Sequence, residues 1–156
     1  MNNVIVIEKL VENPKSLVDQ FRCSFSIINL IEDFEKAKAV FIKPNLTYPS
    51  YKTGVTTRKV FIESLVASLR QINSTTKIYI GEGEGGYNSF SMTKAMKAMG
   101  FYGIEKKYPN VKIVNLSKLM SHSVELDVRG KPYHINLPNI FAELRHINSP
   151  AHFDIA

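Results

Sequence analysis

Residues 78–86 read Ile-Tyr-Ile-Gly-Glu-Gly-Glu-Gly-Gly, a short apolar run that passes directly into glycine and glutamate. The run is β-branched and aromatic without polar alternation, which is typical of a strand buried on both faces of a parallel sheet. Three other runs share this pattern. The four predicted core strands are Val4–Ile7, Ala39–Ile42, Ile78–Ile80 and Val111–Asn115.

Segments with apolar residues at helical spacing separate these strands. The first predicted helix begins at Asn13-Pro14, a capping residue followed by proline, and runs to about Ile31. The expected caps are Thr57 for the second helix, Ser89 or Ser91 for the third, and Gly100 at the end of the third. The order βαβαβαβ predicts an α/β fold, with a mostly parallel sheet and flanking helices.

The pattern changes after the fourth strand. Residues 124–128 and 133–137 alternate apolar and polar side chains around the turn-forming segment 129–132, which predicts a C-terminal β-hairpin with one solvated face. A short helical piece is expected from Pro138 to Glu143. We therefore interpret residues 1–143 as one domain and residues 144–156 as an irregular tail. An open sheet edge near this tail would favour pairing with a second chain, which predicts a homo-oligomer.

Composition excludes several classes of protein. The net charge is +6 and the pI is near 9.4, but the lysines are dispersed and are not interleaved with aromatic residues, so nucleic acid binding is not favoured. No apolar stretch is long enough to span a membrane, and the start has no signal peptide pattern, which predicts a cytoplasmic protein.

Cysteine and histidine do not suggest a metal site. Cys23 is the only cysteine, so it forms neither an internal disulfide nor a cysteine-based metal site, and its place in the first helix predicts a small buried side chain. The histidines show no metal-ligand spacing and are expected to be structural or exposed; they are His122, His134, His146 and His152.

Unusual residues follow two of the predicted strands. Ligands of parallel α/β sheets bind beyond the carboxyl ends of the strands, and the segments after residues 42 and 80 leave those ends. Lys43, Glu82 and Glu84 are the candidate catalytic residues, since a lysine can meet an anion and a carboxylate can contact a hydroxyl, a proton or a divalent cation. The plain alternative for Lys43 is a surface lysine at a strand end.

The candidate ligand-binding residues occupy the same two loops. Hydroxyls and free N–H groups at a helix N-terminus favour anions, and glycines allow backbone to approach a ligand closely. The alternative is a glycine turn that requires positive φ. The candidates are Asn45, Thr56 and Thr57 in the first loop and Gly81, Gly83, Gly85 and Gly86 in the second.

The motifs in this order resemble domain-of-unknown-function family 362. They are Val40–Leu46, Gly54-Val55-Thr56-Thr57, Ile80–Gly83 with Gly85-Gly86, Val111–Leu116 and Leu137–Ile140. The resemblance covers roughly residues 1–143 and implies an α/β fold without an established reaction. Family members are often joined to ferredoxin-like iron–sulfur modules, which suggests redox-linked work. Compared with the family, the chain looks like an N-terminal part, and its ending looks truncated.

Two functions of different classes remain open. The first is a domain, enzymatic or not, that binds a small anionic ligand or a metal-linked metabolite at the strand ends. The second is a non-catalytic fragment or interaction module of a larger protein. The sequence does not identify a cofactor.

Overall fold

A computed structural model describes residues 13–84 and 89–141, in which helices and strands alternate as expected. The helices are α1 (Pro14–Ile27), α2 (Ile31–Lys36), α3 (Lys59–Ile72), α4 (Met92–Ala98) and α5 (Tyr102–Lys107). The strands are β1 (Ala39–Ile42), β2 (Lys77–Glu82), β3 (Val111–Asn115), β4 (Ser121–Val128) and β5 (Lys131–Pro138), with a 3₁₀ turn at Leu116–Lys118. The predicted strand at Val4–Ile7 and the predicted tail at 144–156 lie outside the described residues.

The first three strands form a parallel sheet in the order β1-β2-β3. Ile42 pairs with Ile80, and Ile80 pairs with Ile113. The α/β fold with a parallel sheet and flanking helices is therefore confirmed. Because the strands are parallel, the segments that follow all three leave the sheet at the same end, and this end is where the candidate residues lie.

One face of the sheet carries the main core. Ile42, Ile78, Ile80 and Val111 are buried against the helices. The helical side chains that meet them include Ile62, Val66 and Leu69 of α3 and Met92, Ala95 and Met96 of α4. Each large apolar side chain buried in this way contributes roughly 1.5–3 kcal/mol. The methionines of α4 fill the core, as their helical spacing suggests.

The first helix ends earlier than the sequence predicted. Asn29 has a φ of 58°, and the Leu30 and Asn29 amides bond to the carbonyls of Phe25 and Ser26. This is the Schellman arrangement, in which a left-handed residue closes a helix. The expected helix through Ile31 is thus wrong, because asparagine takes the left-handed conformation more readily than most residues. Gly100, with a φ of 77°, ends α4 in the same way, as predicted.

The predicted cap at Ser91 is confirmed, whereas the predictions for Thr57 and Cys23 are wrong. Ser91 caps α4 by accepting a hydrogen bond from the Lys94 amide. Thr57 does not cap α3, which begins at Lys59 after Arg58. Cys23 is exposed and not buried, because the buried face of α1 runs through Leu17 and Phe25 and Cys23 lies on another side.

The C-terminal hairpin is confirmed and is longer than predicted. β4 and β5 pair antiparallel around a two-residue turn, in which Arg129 and Gly130 have φ values of 54° and 76°. The predicted single solvated face is wrong for the described residues, since Tyr133 on the apolar side is 52% exposed. β5 extends to Pro138, and only residues 140 and 141 of the expected helical piece have helical structure within the described range.

Candidate ligand-binding site

Lys43 and Glu82 meet at the carboxyl end of the sheet. Lys43 directly follows β1, Glu82 ends the neighbouring strand β2, and Lys43 Nζ lies 2.6 Å from Glu82 Oε2. The other oxygen of Glu82 accepts a hydrogen bond from the Gly83 amide. The lysine side chain is 59% exposed. The Glu82 side chain is only 18% exposed, so the lysine is the partner of this pair that lies within reach of a ligand group.

Asn45 and Thr57 close the base of the loop between β1 and α3. The Asn45 amide donates to Thr57 Oγ1 over 2.9 Å, and the Thr57 amide donates to the Asn45 carbonyl over 2.8 Å. The Asn45 side chain also donates to the Val55 carbonyl. These bonds hold the two ends of the loop together, so both residues shape the site in addition to lying beside it.

Thr56 holds the inner turn of the same loop. Its Oγ1 accepts from the Lys52 amide over 2.8 Å, and its own amide donates to the Lys52 carbonyl over 2.9 Å. Thr56 is buried, as are Pro44 and Leu46 earlier in the loop. The long polar loop is therefore a packed structure, and the Thr56 hydroxyl is used within it.

Glu84 connects three elements of the structure. Its Oε2 accepts from the Met92 amide at the start of α4 over 2.6 Å, and its Oε1 accepts from Asn115 Nδ2 at the end of β3 over 2.8 Å. The Met92 amide, followed by the Asn115 side chain, lowers the pKa of the Glu84 carboxyl. A carboxylate with these partners stabilises the strand-end region by joining α4 to β3.

The lowered pKa of Glu84 predicts that the stability of the folded protein depends on pH through this carboxylate. A carboxylate with a lowered pKa in the folded state contributes stability that is complete above its ordinary pKa of 4.5 and is lost as the pH falls through the folded value. Glu84→Gln should therefore lower the melting temperature near neutral pH and flatten its decline in acid. Thermal melts from about pH 3 to pH 7 measure both effects.

Glu32→Gln is the matched control, because within the described residues that carboxylate forms only an exposed pair with Lys36. It should leave the pH profile unchanged. If Glu84→Gln declines in acid as steeply as the unmodified chain, the assignment to Glu84 is wrong.

The two described glycines of the second loop have structural surroundings. Gly81 lies within β2 opposite Val114, and Gly83 follows the strand beside Ser117. Neither has a positive φ, so the alternative of a turn that requires positive φ is wrong for both. Gly81 is buried, and a side chain there would collide with Val114. Gly85 and Gly86 lie outside the described residues.

A hollow of about 370 Å³ opens at the N-terminus of α3 and is called the α3 hollow below. Its lining residues come from α1, the β1–α3 loop and the start of α3. They are Leu17, Tyr51, Thr53, Gly54, Thr56, Thr57, Arg58 and Phe61. The predicted residues Thr56 and Thr57 thus line a concave surface at the expected end of the sheet.

Arg58 is the main candidate residue that the sequence prediction missed. It is exposed beside the α3 hollow, and within residues 13–84 and 89–141 its guanidinium forms no ion pair or hydrogen bond. Its position directly after Thr56-Thr57 is the only signal in the sequence. That signal was concealed by the expectation that Thr57 caps the helix.

Asn115 was also missed as part of the site. It ends β3, is 9% exposed, and donates to both Glu84 and Thr93 while its Oδ1 accepts from the Ser117 amide. An asparagine directly after an apolar strand run could have identified it. It positions the third strand-end loop against the second.

Residues 13–84 and 89–141 contain neither a cluster of metal-binding side chains nor a membrane span. No three histidine, cysteine, aspartate or glutamate side chains lie close enough there to hold one metal ion. No helix within the same ranges has the length and apolar character needed to cross a membrane.

The fold and the strand-end loops define the class of the protein as an α/β domain with a parallel sheet and its polar groups at the carboxyl end. The model of a domain-of-unknown-function family, DUF362, matches residues 40–152. The chain belongs to this family. Comparisons with curated proteins and with solved structures gave no significant match.

Proposed function

We propose that this domain binds a small ligand with an anionic group in the α3 hollow. The observation that carries the proposal is the Arg58 guanidinium, which stands exposed beside this concave surface without a partner among the described residues. Binding sites in proteins are concave surfaces with a small number of oriented polar groups. The hollow also lies at the end of the sheet where α/β proteins place their ligands.

The start of α3 adds positive potential to this position. No side chain of the described part of the chain caps its N-terminus, and its first turn contains no acidic residue. The first N–H groups of a helix lack partners inside the helix and carry a partial positive charge. An anionic group in the α3 hollow can therefore accept bonds from Arg58 and from the helix start together.

The rest of the hollow favours an organic ligand over a bare inorganic ion. Leu17 is buried at its floor and Phe61 is half-buried beside it, while Tyr51 is 48% exposed at the rim. Apolar walls with an aromatic rim accommodate a carbon skeleton, and the phenol can donate a hydrogen bond. The ligand class that fits is a small carboxylate or phosphate ester with an apolar portion.

The pair of Lys43 and Glu82 supports the same proposal from the neighbouring strand end. The Lys43 side chain is 59% exposed, and its ion-pair partner within the described residues is Glu82, whose side chain is 18% exposed. A second anionic group on a ligand could replace Glu82 as its partner. Release of the carboxylate would then supply a base at the site, which is the role expected of Glu82 if the domain catalyses a reaction.

Anion titration of matched variants tests the proposal. The probes are citrate, phenyl phosphate and inorganic phosphate, added to the full chain and followed by thermal shift and calorimetry. At least one organic anion should raise the melting temperature, because a ligand that binds only the folded state stabilises it. Arg58→Met should weaken that binding at least about tenfold, as loss of a charge-assisted hydrogen bond does.

Arg22→Met is the control, since Arg22 lies on α1 and contacts Gln71 instead of the hollow. It should bind the anion as the unmodified chain does. Equal binding by all three proteins, or no binding of any probe, would contradict the proposal.

A further inference from the structure

The outer edge of β4 pairs with no strand in the described structure. The hairpin pairs Glu125 with His134 and Asp127 with Pro132. Around a two-residue turn the hydrogen-bonded pairs alternate with pairs whose N–H and C=O groups point away from the partner. The bond from the Asn139 amide to the Met120 carbonyl fixes which set points inward, namely the even-numbered residues of β4. The N–H and C=O groups of the odd-numbered residues, from 121 to 127, therefore point outward, away from β5.

The two edges of the hairpin differ in how well they are protected against pairing with another chain. The outward positions of β5 are 132, 134, 136 and 138, and two of these are Pro132 and Pro138, which have no N–H to donate. Proline on an edge strand blocks pairing with another chain. β4 has no proline, lysine or bulge, and within residues 13–84 and 89–141 no strand pairs with its outer side.

We propose that β4 pairs antiparallel with β4 of a second copy of this chain, about a two-fold axis at Val124. The outward positions of β4 are symmetric about Val124, so this register alone uses all of them. It gives about eight inter-chain hydrogen bonds, two for each of four facing pairs. A shift by one pairing step in one direction would place Glu125 opposite its own copy, where like charges repel.

The side chains of the proposed pairing are complementary. Ser123 faces Glu125 of the second copy, and Ser121 faces Asp127, so each carboxylate meets a hydroxyl donor. On the other side of the sheet Val124 faces its own copy, and valine pairs suit a strand surface. The two hairpins then form one four-stranded sheet whose outermost strands are the proline-guarded β5 strands.

Proline substitution distinguishes the two edges. Glu125→Pro removes an outward donor of β4, whereas His134→Pro removes an outward donor of its cross-strand partner on β5. Analytical ultracentrifugation of the full chain should show a dimer. Glu125→Pro should raise its dissociation constant at least about tenfold, and His134→Pro should leave it unchanged. Circular dichroism checks that both variants fold.

Cysteine cross-linking tests the register with a readout that does not depend on whether a variant is destabilised. In a Cys23→Ser background, Val124→Cys should form an inter-chain disulfide under mild oxidation, because facing residues of a close antiparallel pair lie within disulfide reach. Leu126→Cys, which would face His122, should not. A monomer at all concentrations, equal effects of both prolines, or equal cross-linking at both positions would overturn the proposal.

Discussion

Replacing Gly81 with alanine is expected to destabilise the fold by about 2–3 kcal/mol, although the change adds one methyl group. A Cβ at this position would lie 2.5 Å from Val114 Cγ2 and 2.9 Å from the Val114 carbonyl oxygen. Gly81 and Val114 are direct partners in β2 and β3, so relief requires the two strands to move, because a new rotamer of Val114 would leave the contact with its backbone oxygen in place. Chemical denaturation of the two proteins measures the difference.

Gly83→Ala is the control for this effect. Among the described residues its added Cβ would meet only Ser117 Oγ, at 3.3 Å, and neither glycine has a positive φ. The cost should stay below about 1 kcal/mol, because a shift of a few tenths of an ångström by the exposed Ser117 side chain relieves this contact and can keep its hydrogen bond from the Glu84 amide. If both alanines cost the same, then loss of glycine flexibility and not the contact with Val114 determines the effect.

Replacing Asn73 with alanine is expected to cost about 2–4 kcal/mol. Its Nδ2 donates to the carbonyls of Phe34, Glu35 and Ala37 at the end of α2. Its Oδ1 accepts from the amides of Thr75 and Thr76 in the turn before β2. One side chain thus joins the end of α2 to the turn that begins the central strand, and its removal leaves groups on both sides without partners.

Asn136→Ala is a suitable comparison, since Asn136 lies exposed on the hairpin. It should change the free energy of unfolding by less than about 0.5 kcal/mol. The account of Asn73 fails if its substitution is as mild as that of Asn136 in the same denaturation experiment.

The fold could be predicted because its signals are strong and local. The run at 39–42 and the run at 111–115 became β1 and β3 with unchanged bounds, because β-branched and aromatic residues favour strands, and the second run is interrupted only by Lys112, at an exposed position. The end of α1 could not be predicted in this way. Asn29 closes the helix through a left-handed conformation, and a single asparagine within an apolar pattern is not enough to predict a helix end.

The site was predictable where it follows from topology. Lys43 and Glu82 follow adjacent parallel strands, so their contact was to be expected from the strand order. Glu84 could not be separated from Glu82 by sequence, although it turns toward Met92 and Asn115 and serves the structure. Arg58 was missed because Thr57 could have capped α3 equally well on residue type alone.

Besides the α3 hollow, a second hollow of similar size lies against α3 and shares none of its lining residues, which allows a direct test of the proposed ligand site. The second has a volume of about 310 Å³ and is lined by residues that include Lys15, Ala67 and Lys107. It also contains lysines, so general attraction of anions to a basic protein would affect it as well. Binding of a ligand at the start of α3 would leave this second hollow unaffected.

Amide chemical shifts of the ¹⁵N-labelled full chain during a titration with phenyl phosphate provide the most direct measurement. The proposed function predicts saturable shifts that are largest at Gly54, Thr57 and Arg58, with little change at Ala67 and Lys107. Shifts that are largest around Ala67 and Lys107, or that spread over the lysines without saturation, would contradict it.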